Sequence, residues 1–512
     1  MQFIHYRRRN MIRLRWAAKG IARGLVRTLF DHSRARPVTG MARHVVVLRW
    51  DAKLGDSIVS SSFYREVRKL PGVRVTVITV AELEVMHRED FGVDRVIVTS
   101  AMPGLRELLR VRRLLGAVDA VVHLVDRIQP REIFFLSRVN AAHVYSLDDT
   151  LRLVSHKLGA STKGLLFVEK YVRVLHGLGI REVQTHYSVP VPATTSAAEV
   201  GTADILFNPY GSRADKSLSP IKAVELLRTL ADNYPYFTIG ILSKPDTRQA
   251  ATQLELQVAR PNVKALDGIK TPTRAAAAVN AARVIVTVDT AIVHMAVGLH
   301  KKLVAIYPDM GREPNPWLPP ASSTTRVVIS RQDVRRYRLT GVKDMNQFSS
   351  SAVVAAVRDL GLASAPVQPG ITVAARLVRG LGVASGTLSR QIPLISAGFS
   401  EVAGCHPGTI NLQLERALHV REPDHRTAPL AWTPSGRTRE VFDLIRVELE
   451  LVESGRRFPA WLYVAHGSPH RNTPTIHELI ARPLDLAGET DCRLHVRSSA
   501  VEIGVAATTS VA

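Results

Sequence analysis

The chain has little cysteine and no long apolar run. Two cysteines occur among its 512 residues, Cys405 and Cys492, and neither stands at a metal-ligand spacing. A disulfide-stapled scaffold is therefore excluded, and a reducing compartment, the cytoplasm, is expected. The sequence contains no stretch of 18 apolar residues, so it predicts no membrane-spanning helix. The N-terminus also lacks the pattern of a secretory signal.

Acidic residues are outnumbered by basic ones, 45 to 68, which gives a formal net charge of +23. Such an excess favours anionic partners, namely nucleic acid, anionic lipid or a phosphorylated glycan. The arginine-rich stretch lacks interleaved aromatic residues beyond Trp16, and no helix-turn-helix or zinc pattern occurs. We therefore expect no nucleic acid partner, although a basic protein that binds nucleic acid or membrane stays open as an alternative.

Residues 1–43 concentrate this charge, with eleven Arg and Lys against one Asp. Basic residues recur at every fourth position from Arg15 to Arg27, and another face carries the apolar residues Leu14, Ala18, Ile21, Leu25 and Leu29. The pattern is typical of a basic amphipathic helix that lies on an anionic membrane surface. A solvated extension is the alternative, as is translation from Met41 instead of Met1.

From residue 44 onward, strand patterns alternate with helix patterns, which predicts parallel sheets covered on both faces. A Pro/Ala/Thr/Ser-rich stretch near residues 187–203 is typical of a hinge. The sequence thus predicts an α/β fold of two Rossmann-like lobes, residues 44–187 and 203–362, with a ligand between them. Beyond a second linker at 363–370, short strands with one helix near Thr438–Val447 predict a β-rich domain over residues 371–507.

Polar motifs follow three of the predicted strands. After the first strand, Asp56 falls where a helix begins, and Gly55 before it allows a tight turn. A carboxylate at this place either caps the helix or faces the cleft as a base. The motif alone leaves both interpretations open.

The other two motifs suit an anion. Gly211 and Ser212 form a turn between a strand and a helix, where backbone N–H groups bind phosphate, and Lys216 adds a positive charge. The segment Asp289-Thr290-Ala291 ends a strand before another helix N-terminus. His294 lies one turn into that helix, as a packed core residue or as a ligand contact.

In this order and spacing, the three motifs resemble those of glycosyltransferase family nine, the ADP-heptose:lipopolysaccharide heptosyltransferases, over about residues 44–360. The resemblance implies a GT-B fold and an inverting transferase that needs no metal or other cofactor. The donor would be a nucleotide sugar such as ADP-heptose. The acceptor would be an anionic glycolipid or polysaccharide of the bacterial envelope, such as lipopolysaccharide core, reached at the inner face of the inner membrane.

The same resemblance implies roles for individual residues. Asp56 would deprotonate the acceptor hydroxyl. The donor would contact Gly211, Ser212, Lys216, Asp289, Thr290, Ala291 and His294, with Lys216 on the diphosphate and His294 orienting the phosphates. Ala291 replaces the family's usual glycine, which leaves the exact donor open, and Asp246 is the candidate for reading the ribose. A scaffold that binds a nucleotide sugar without transferring it is the alternative.

The C-terminal segment carries a glycine-rich turn with Gly380, Gly382 and Gly386, then Gly408-Thr409-Ile410-Asn411, and later Glu478. This order resembles the archaeal CTP-dependent riboflavin kinases, which are small cradle-loop barrels. The resemblance implies that the glycines and Glu478 contact CTP, while Thr409 and Asn411 hold Mg²⁺. A nucleotide-binding module, a kinase acting on a sugar and a purely structural domain all remain open.

Overall fold

The computed structural model describes residues 23–32, 41–191, 203–311, 315–362, 370–379, 384–433, 439–467, 475–484, 486 and 488–504. Most of the predicted hinge and linker falls outside these residues, as do Gly380 and Gly382. Within the described part of the chain, no helix is both long enough and apolar enough to cross a bilayer.

The first lobe is a parallel sheet of six strands in the order β3-β2-β1-β4-β5-β6. Its strands are β1 (His44–Arg49), β2 (Arg74–Thr79), β3 (Arg95–Val98), β4 (Ala120–Val122), β5 (His143–Ser146) and β6 (His156–Lys157). Its helices are α1 (residues 23–30), α2 (Leu54–Val67), α3 (Ala81–Val85), α4 (Leu105–Leu115), α5 (Pro130–Val139) and α6 (Phe167–Gly177). Every residue of β1 is buried because helices cover both faces of the sheet.

The second lobe repeats this design with the order β12-β11-β10-β7-β8-β9, again all parallel. Its strands are β7 (Ile205–Asn208), β8 (Ile239–Ile241), β9 (Val263–Ala265), β10 (Val284–Val288), β11 (Lys302–Pro308) and β12 (Thr325–Ser330). Its helices are α7 (Pro220–Asn233), α8 (Arg248–Val258), α9 (Pro272–Ala281), α10 (Ala291–Gly298), α11 (Val334–Thr340) and α12 (Ser350–Asp359). Both lobes have the doubly wound strand order, so the predicted two-lobed GT-B fold is confirmed.

The two lobes share packed apolar contacts. One buried cluster contains Ile58 and Phe63 of the first lobe together with Ile292 and Val293 of the second. On the same boundary, the rings of Phe167 and Trp317 stack with centroids 4.0 Å apart. The Phe167 backbone N–H also donates a hydrogen bond of 2.7 Å to the Pro316 carbonyl. The structure therefore has a closed junction between its lobes.

The C-terminal segment forms a closed antiparallel barrel of six strands in the cyclic order β19-β20-β21-β14-β13-β22. These strands are β13 (Ile371–Val378), β14 (Ile410–Leu414), β19 (Phe442–Leu451), β20 (Arg457–Ala465), β21 (Ile476–Ala481) and β22 (Asp491–Val496). Short strands flank the barrel, namely β15 (Leu418–Val420), β16 (His425–Arg426), β17 (Leu430–Ala431), β18 (Arg439–Glu440) and β23 (Val501–Ile503). The prediction of a β-rich barrel is confirmed.

One local prediction in this domain is wrong, and one helix was not predicted. The helix expected near Thr438–Val447 is absent, and β18 and β19 occupy its place. From Val447 to Leu451 apolar and charged residues alternate, and this period of two favours a strand with one face in the core. The structure instead forms helix α13 at Ala384–Gly398, which includes Gly386 of the glycine-rich segment.

The barrel is fixed to the second lobe by buried polar and aromatic contacts. The Tyr236 hydroxyl donates to the Val447 carbonyl at 2.9 Å, and its ring packs edge-on against Trp461. From the barrel, Arg482 donates to the carbonyls of Pro235 and Tyr236 at 2.8 and 3.3 Å. Arg482 is 4% exposed, so separating the barrel would uncover a charge that the lobe now satisfies.

Helix α1 is attached to the first lobe through its basic side chains. Arg23 donates to the Asp148 carboxylate at 2.6 Å, and Arg27 donates to the Thr150 carbonyl at 2.6 Å, so both basic side chains bind the first lobe. Leu25 and Leu29 are instead 63% and 64% exposed. The expected membrane contact of this helix stays a prediction, in which Arg23 and Arg27 are already bound to protein and the two leucines are free to meet lipid. Residues 1–22, which carry the rest of the pattern, lie outside the described residues.

Candidate functional site

All three sequence motifs lie at the carboxyl ends of central strands. Asp56 follows β1 in the first lobe, while the Gly211 turn follows β7 and Asp289 follows β10 in the second. Since β7 and β10 are neighbours that mark the point where the strand order reverses, their two loops border one crevice. The structure thus brings the predicted donor residues together.

The first lobe reaches this crevice through Gly55. A Cβ atom on Gly55 would lie 2.9 Å from His294 Cδ2 and 3.2 Å from Ala291 Cα, which is closer than side chains pack. The N-termini of α2 and α10 therefore meet without a side chain between them. Asp56, the next residue, is consequently held near the first turn of α10.

Asp56 lies inside the first turn of α2, and Lys53 occupies the position before the helix, where no side-chain cap is formed. The Asp56 Oδ2 atom is 3.4 Å from Arg49 Nη2 and 3.6 Å from Lys53 Nζ. Burial raises the pKa of the Asp56 carboxyl, while the positive charges of Arg49 and Lys53 act in the opposite direction. A carboxylate of raised pKa beside a cleft has the properties of a general base.

Arg49 forms an ion pair with the Asp56 carboxylate. Its side chain is buried, and Arg49 Nη2 is 3.4 Å from both Asp51 Oδ1 and Asp56 Oδ2. Burial by itself would lower the pKa of the Arg49 guanidinium. Nearby negative charges, among them those of Asp51 and Asp56, outweigh this effect and raise the pKa. Arg49 therefore remains charged, and it was not singled out by the sequence analysis.

In the turn after β7, Gly211 packs closely against the backbone of Lys216. A Cβ on Gly211 would lie 2.4 Å from the Lys216 carbonyl oxygen, so glycine is required there. The Gly211 N–H donates to Ser217 Oγ at 2.9 Å, and Ser212 is exposed. The following helix α7 is capped by Ser219, whose hydroxyl accepts from the Lys222 N–H. The turn therefore contributes chiefly the side chain of Lys216 to the candidate donor site.

Helix α10 offers the more suitable anion site. Thr290 caps it by accepting from the Ile292 N–H at 3.3 Å, and Ala291 opens its first turn. N–H groups in the first turn of a helix have no acceptor within the helix, and the helix dipole adds positive potential. The side chain of Asn208 supports this turn by donating to Thr287 and Thr290, and sequence reasoning missed it.

Asp289 binds two lysines at the mouth of the crevice. Its Oδ2 is 3.3 Å from Lys216 Nζ and 3.4 Å from Lys343 Nζ. Lys343 arrives from the loop after α11, 54 residues beyond Asp289, and no motif marks it in the sequence. The predicted residues Lys216 and Asp289 are thus joined by a lysine that was not predicted.

His294 is buried between aromatic rings. It is 4% exposed and contacts the rings of Tyr187 and Trp317 edge-on, at centroid distances of 6.0 and 6.1 Å. Burial lowers the pKa of His294 to about 4, so the imidazole is neutral at pH 7. Its Nδ1 has no hydrogen-bond partner among the described residues, which leaves one polar atom for a ligand.

Asp246 lies on an exposed turn after β8, where its carboxylate pairs with Lys244 Nζ at 2.7 Å. Its position at the carboxyl end of a second-lobe strand is compatible with a contact to a bound nucleotide. It remains a prediction.

In the barrel, the structure brings Thr409, Asn411 and Glu478 together. Thr409 Oγ1 donates to Glu478 Oε1 at 3.2 Å, and Asn411 Nδ2 lies 3.5 Å from Thr409 Oγ1. Gly386 is exposed and lies in the first turn of α13, so it belongs to a helix and not to the expected turn, while its contact with a nucleotide stays a prediction. The oxygen atoms of this set suit a hard cation such as Mg²⁺.

Comparison with known proteins identifies the class of the lobes. Residues 109–338 match the family model for glycosyltransferase family 9 (heptosyltransferase). This span includes Lys216, Asp289 and His294, whereas Asp56 precedes it. This part of the two Rossmann-like lobes is therefore similar to the heptosyltransferases of glycosyltransferase family 9.

Solved structures similar to the chain include a glycosyltransferase family 9 protein from Veillonella parvula DSM 2008, with 18% identity and a TM-score of 0.49 over 64% of this chain and 99% of that one. E. coli heptosyltransferase WaaC with ADP-2-deoxy-2-fluoro heptose has 16% identity and a TM-score of 0.44, over 62% and 99%. E. coli ADP-heptose lps heptosyltransferase II has 18% identity and a TM-score of 0.44, over 62% and 98%. No curated protein matches the chain.

Proposed function

We propose that this protein is an inverting glycosyltransferase that moves a sugar, such as heptose from ADP-heptose, to an anionic glycan of the bacterial envelope, with lipopolysaccharide core as the leading candidate. One observation carries the proposal. Gly55 packs against Ala291 and His294, so its neighbour Asp56 of one lobe belongs to the same junction as the helix that follows Asp289 in the other.

The reaction follows from the charges on the two sides of this junction. Asp56 removes the proton of the acceptor hydroxyl while its oxygen attacks the anomeric carbon from the face opposite the nucleotide. The bond from that carbon to the diphosphate oxygen breaks, and the nucleoside diphosphate leaves with the electron pair. Lys216 and the N–H groups of the first turn of α10 stabilise the charge of the leaving group. No metal ion or cofactor is required by these steps.

The remaining donor contacts are assigned by position. Gly211, Ser212, Thr290 and Ala291 surround the diphosphate, the neutral His294 orients it through Nδ1, and Asp246 reads the ribose. The methyl group of Ala291 crowds the diphosphate where the family has glycine, so the identity of the donor is left to experiment. ADP-, GDP- and UDP-sugars are the candidates to compare.

We expect Asp56→Asn to lower kcat by about 10²–10⁴-fold, the usual contribution of a positioned base, with little change in donor affinity. In the wild type, kcat/KM should fall as the pH drops through the pKa of Asp56, because only the ionised carboxyl accepts a proton. Since burial raises that pKa, this acid limb should lie above the range of an ordinary aspartate. Steady-state rates of sugar transfer against pH measure both effects.

Asp51→Asn is the matched control, because Asp51 contacts the same Arg49 and Lys53 at 3.4 and 3.6 Å. It should keep most of the turnover and move the acid limb to lower pH, since the charge of Asp51 helps to raise the pKa of Asp56. Near-wild-type turnover in Asp56→Asn would contradict the transferase mechanism and favour a protein that binds a nucleotide sugar without transferring it.

We further propose that the protein works in the cytoplasm on the inner face of the inner membrane, where an envelope glycolipid is reached. The exposed Leu25 and Leu29 of α1 support this proposal. Helix α4 belongs to the same apolar cluster beneath α1 and exposes Leu105 next to Arg106. Leucines beside arginines suit a surface of anionic lipid.

Leu25→Glu with Leu29→Glu should therefore abolish sedimentation of the full chain with phosphatidylglycerol vesicles, because apolar insertion is replaced by charge repulsion. Leu256→Glu is the control, since Leu256 is 65% exposed on α8 of the other lobe. Equal sedimentation of the double variant and the wild type would show that α1 does not bind the membrane.

For the barrel, we propose a binding site for a nucleotide with Mg²⁺, with CTP as the first candidate. Thr409, Asn411 and Glu478 lie within hydrogen-bond reach of one another and supply oxygen atoms that a phosphate-bound cation prefers. The predicted contacts from Gly380, Gly382 and Gly386 belong to this proposal. A second, kinase-like activity on a sugar is the alternative, and a structural or acceptor-docking module is another.

Calorimetric titration of the full chain with CTP and Mg²⁺ tests the barrel site. Thr409→Ala with Asn411→Ala should weaken binding by at least about tenfold, because two oxygen ligands are lost. Gln413→Ala, on the same strand, should bind as the wild type does. Unchanged affinity in the double variant, or no binding by the wild type, would leave the barrel with a structural or docking role.

A further inference from the structure

Lys343 is a largely covered lysine at the donor crevice that no sequence motif marks. It lies on the loop after α11, and its side chain is 12% exposed. Its backbone N–H donates to Asp215 Oδ2 at 3.1 Å, which fixes the loop against the turn that carries Lys216. Its Nζ is 3.4 Å from Asp289 Oδ2.

The same carboxylate oxygen already has a partner. Lys216 Nζ lies 3.3 Å from Asp289 Oδ2, so two ammonium groups share one carboxylate. The carboxylate of Asp215 also acts on Lys343, but it is already paired with Arg213 at 2.6 Å. His294 is neutral at pH 7 because burial lowers its pKa to about 4. The cluster of Lys216, Lys343 and Asp289 therefore carries a net positive charge.

Such a cluster is poorly satisfied without an anion. Burial lowers the pKa of the Lys343 ammonium, and the charge of Lys216 lowers it further. One lysine would have been enough to neutralise Asp289, so the second one adds repulsion and desolvation cost. The neighbourhood also favours a bound anion, since the cluster lies at the positive end of the α10 helix dipole and His294 Nδ1 has no hydrogen-bond partner among the described residues.

We propose that Lys343 is a second donor-binding cation, which grips the diphosphate of a nucleoside diphosphate sugar together with Lys216. On binding, phosphate oxygens take the place of the shared carboxylate, and each ammonium gains a charge-assisted hydrogen bond. The same contact stabilises the nucleoside diphosphate as it leaves. This inference rests on the proposed transferase function and adds a residue from a separate loop to its donor site.

Calorimetric titration with ADP, and with GDP and UDP in parallel, tests the assignment on the full chain. Lys343→Met should weaken the affinity for the bound diphosphate by about 10–100-fold, the usual effect of losing a charged hydrogen bond. Lys343→Arg keeps the charge and should stay within a few-fold of the wild type. Lys264→Met is the control, because Lys264 is an exposed lysine of the same lobe that pairs with Glu255.

The melting temperature of the ligand-free protein separates binding from structure. Lys343→Met should leave it nearly unchanged, because relief of the repulsion between the lysines offsets the lost ion pair. A lower melting temperature with unchanged diphosphate affinity would overturn the inference and assign Lys343 a structural role.

The role of Lys343 and the proposed transferase function can be tested separately. If Lys216→Ala loses diphosphate binding and Lys343→Met does not, the inference is overturned while the proposed transferase stands. If the wild type binds none of the three nucleoside diphosphates, both are overturned.

Discussion

The close packing of α2 on α10 through Gly55 is the contact on which the rest of the site depends. Any side chain at position 55 would collide with His294 or with the backbone of Ala291. Because the helices meet so closely, the first residue after the glycine, Asp56, reaches the junction from one lobe. The lysines and the first turn of α10 reach it from the other. The stacked rings of Phe167 and Trp317 hold the same boundary closed.

The two sides of the junction have complementary charges. On the first lobe, Arg49 and Lys53 hold a buried carboxylate whose pKa is raised. On the second lobe, Asp289 holds two ammonium groups at the positive end of a helix. A proton acceptor thus stands close to a site for a negatively charged leaving group. The arrangement suits a displacement in which a hydroxyl loses its proton while a diphosphate departs.

Much of this site could be predicted because its motifs are local: a strand end, a glycine turn and a helix start together define an anion site. Asn208 and Lys343 could not be found this way, since their partners lie 79 and 54 residues away. The attachment of α1 to the first lobe could not be predicted either, because Arg23 pairs with Asp148, a contact that helical periodicity does not reveal. The strand β19 was mistaken for a helix since Leu444 and Ile445 interrupt its alternation.

Turnover of Gly55→Ala tests the central contact most directly. Alanine is favoured over glycine inside a helix by about 1 kcal/mol, so local propensity alone predicts a harmless change. We instead expect the added methyl group to displace α2 from α10. This displacement should lower kcat for sugar transfer by about 10²-fold, the usual effect of a misplaced catalytic group. Gly24→Ala, on α1 with nothing near its Cβ position, should keep full activity. Wild-type turnover in Gly55→Ala would contradict the account.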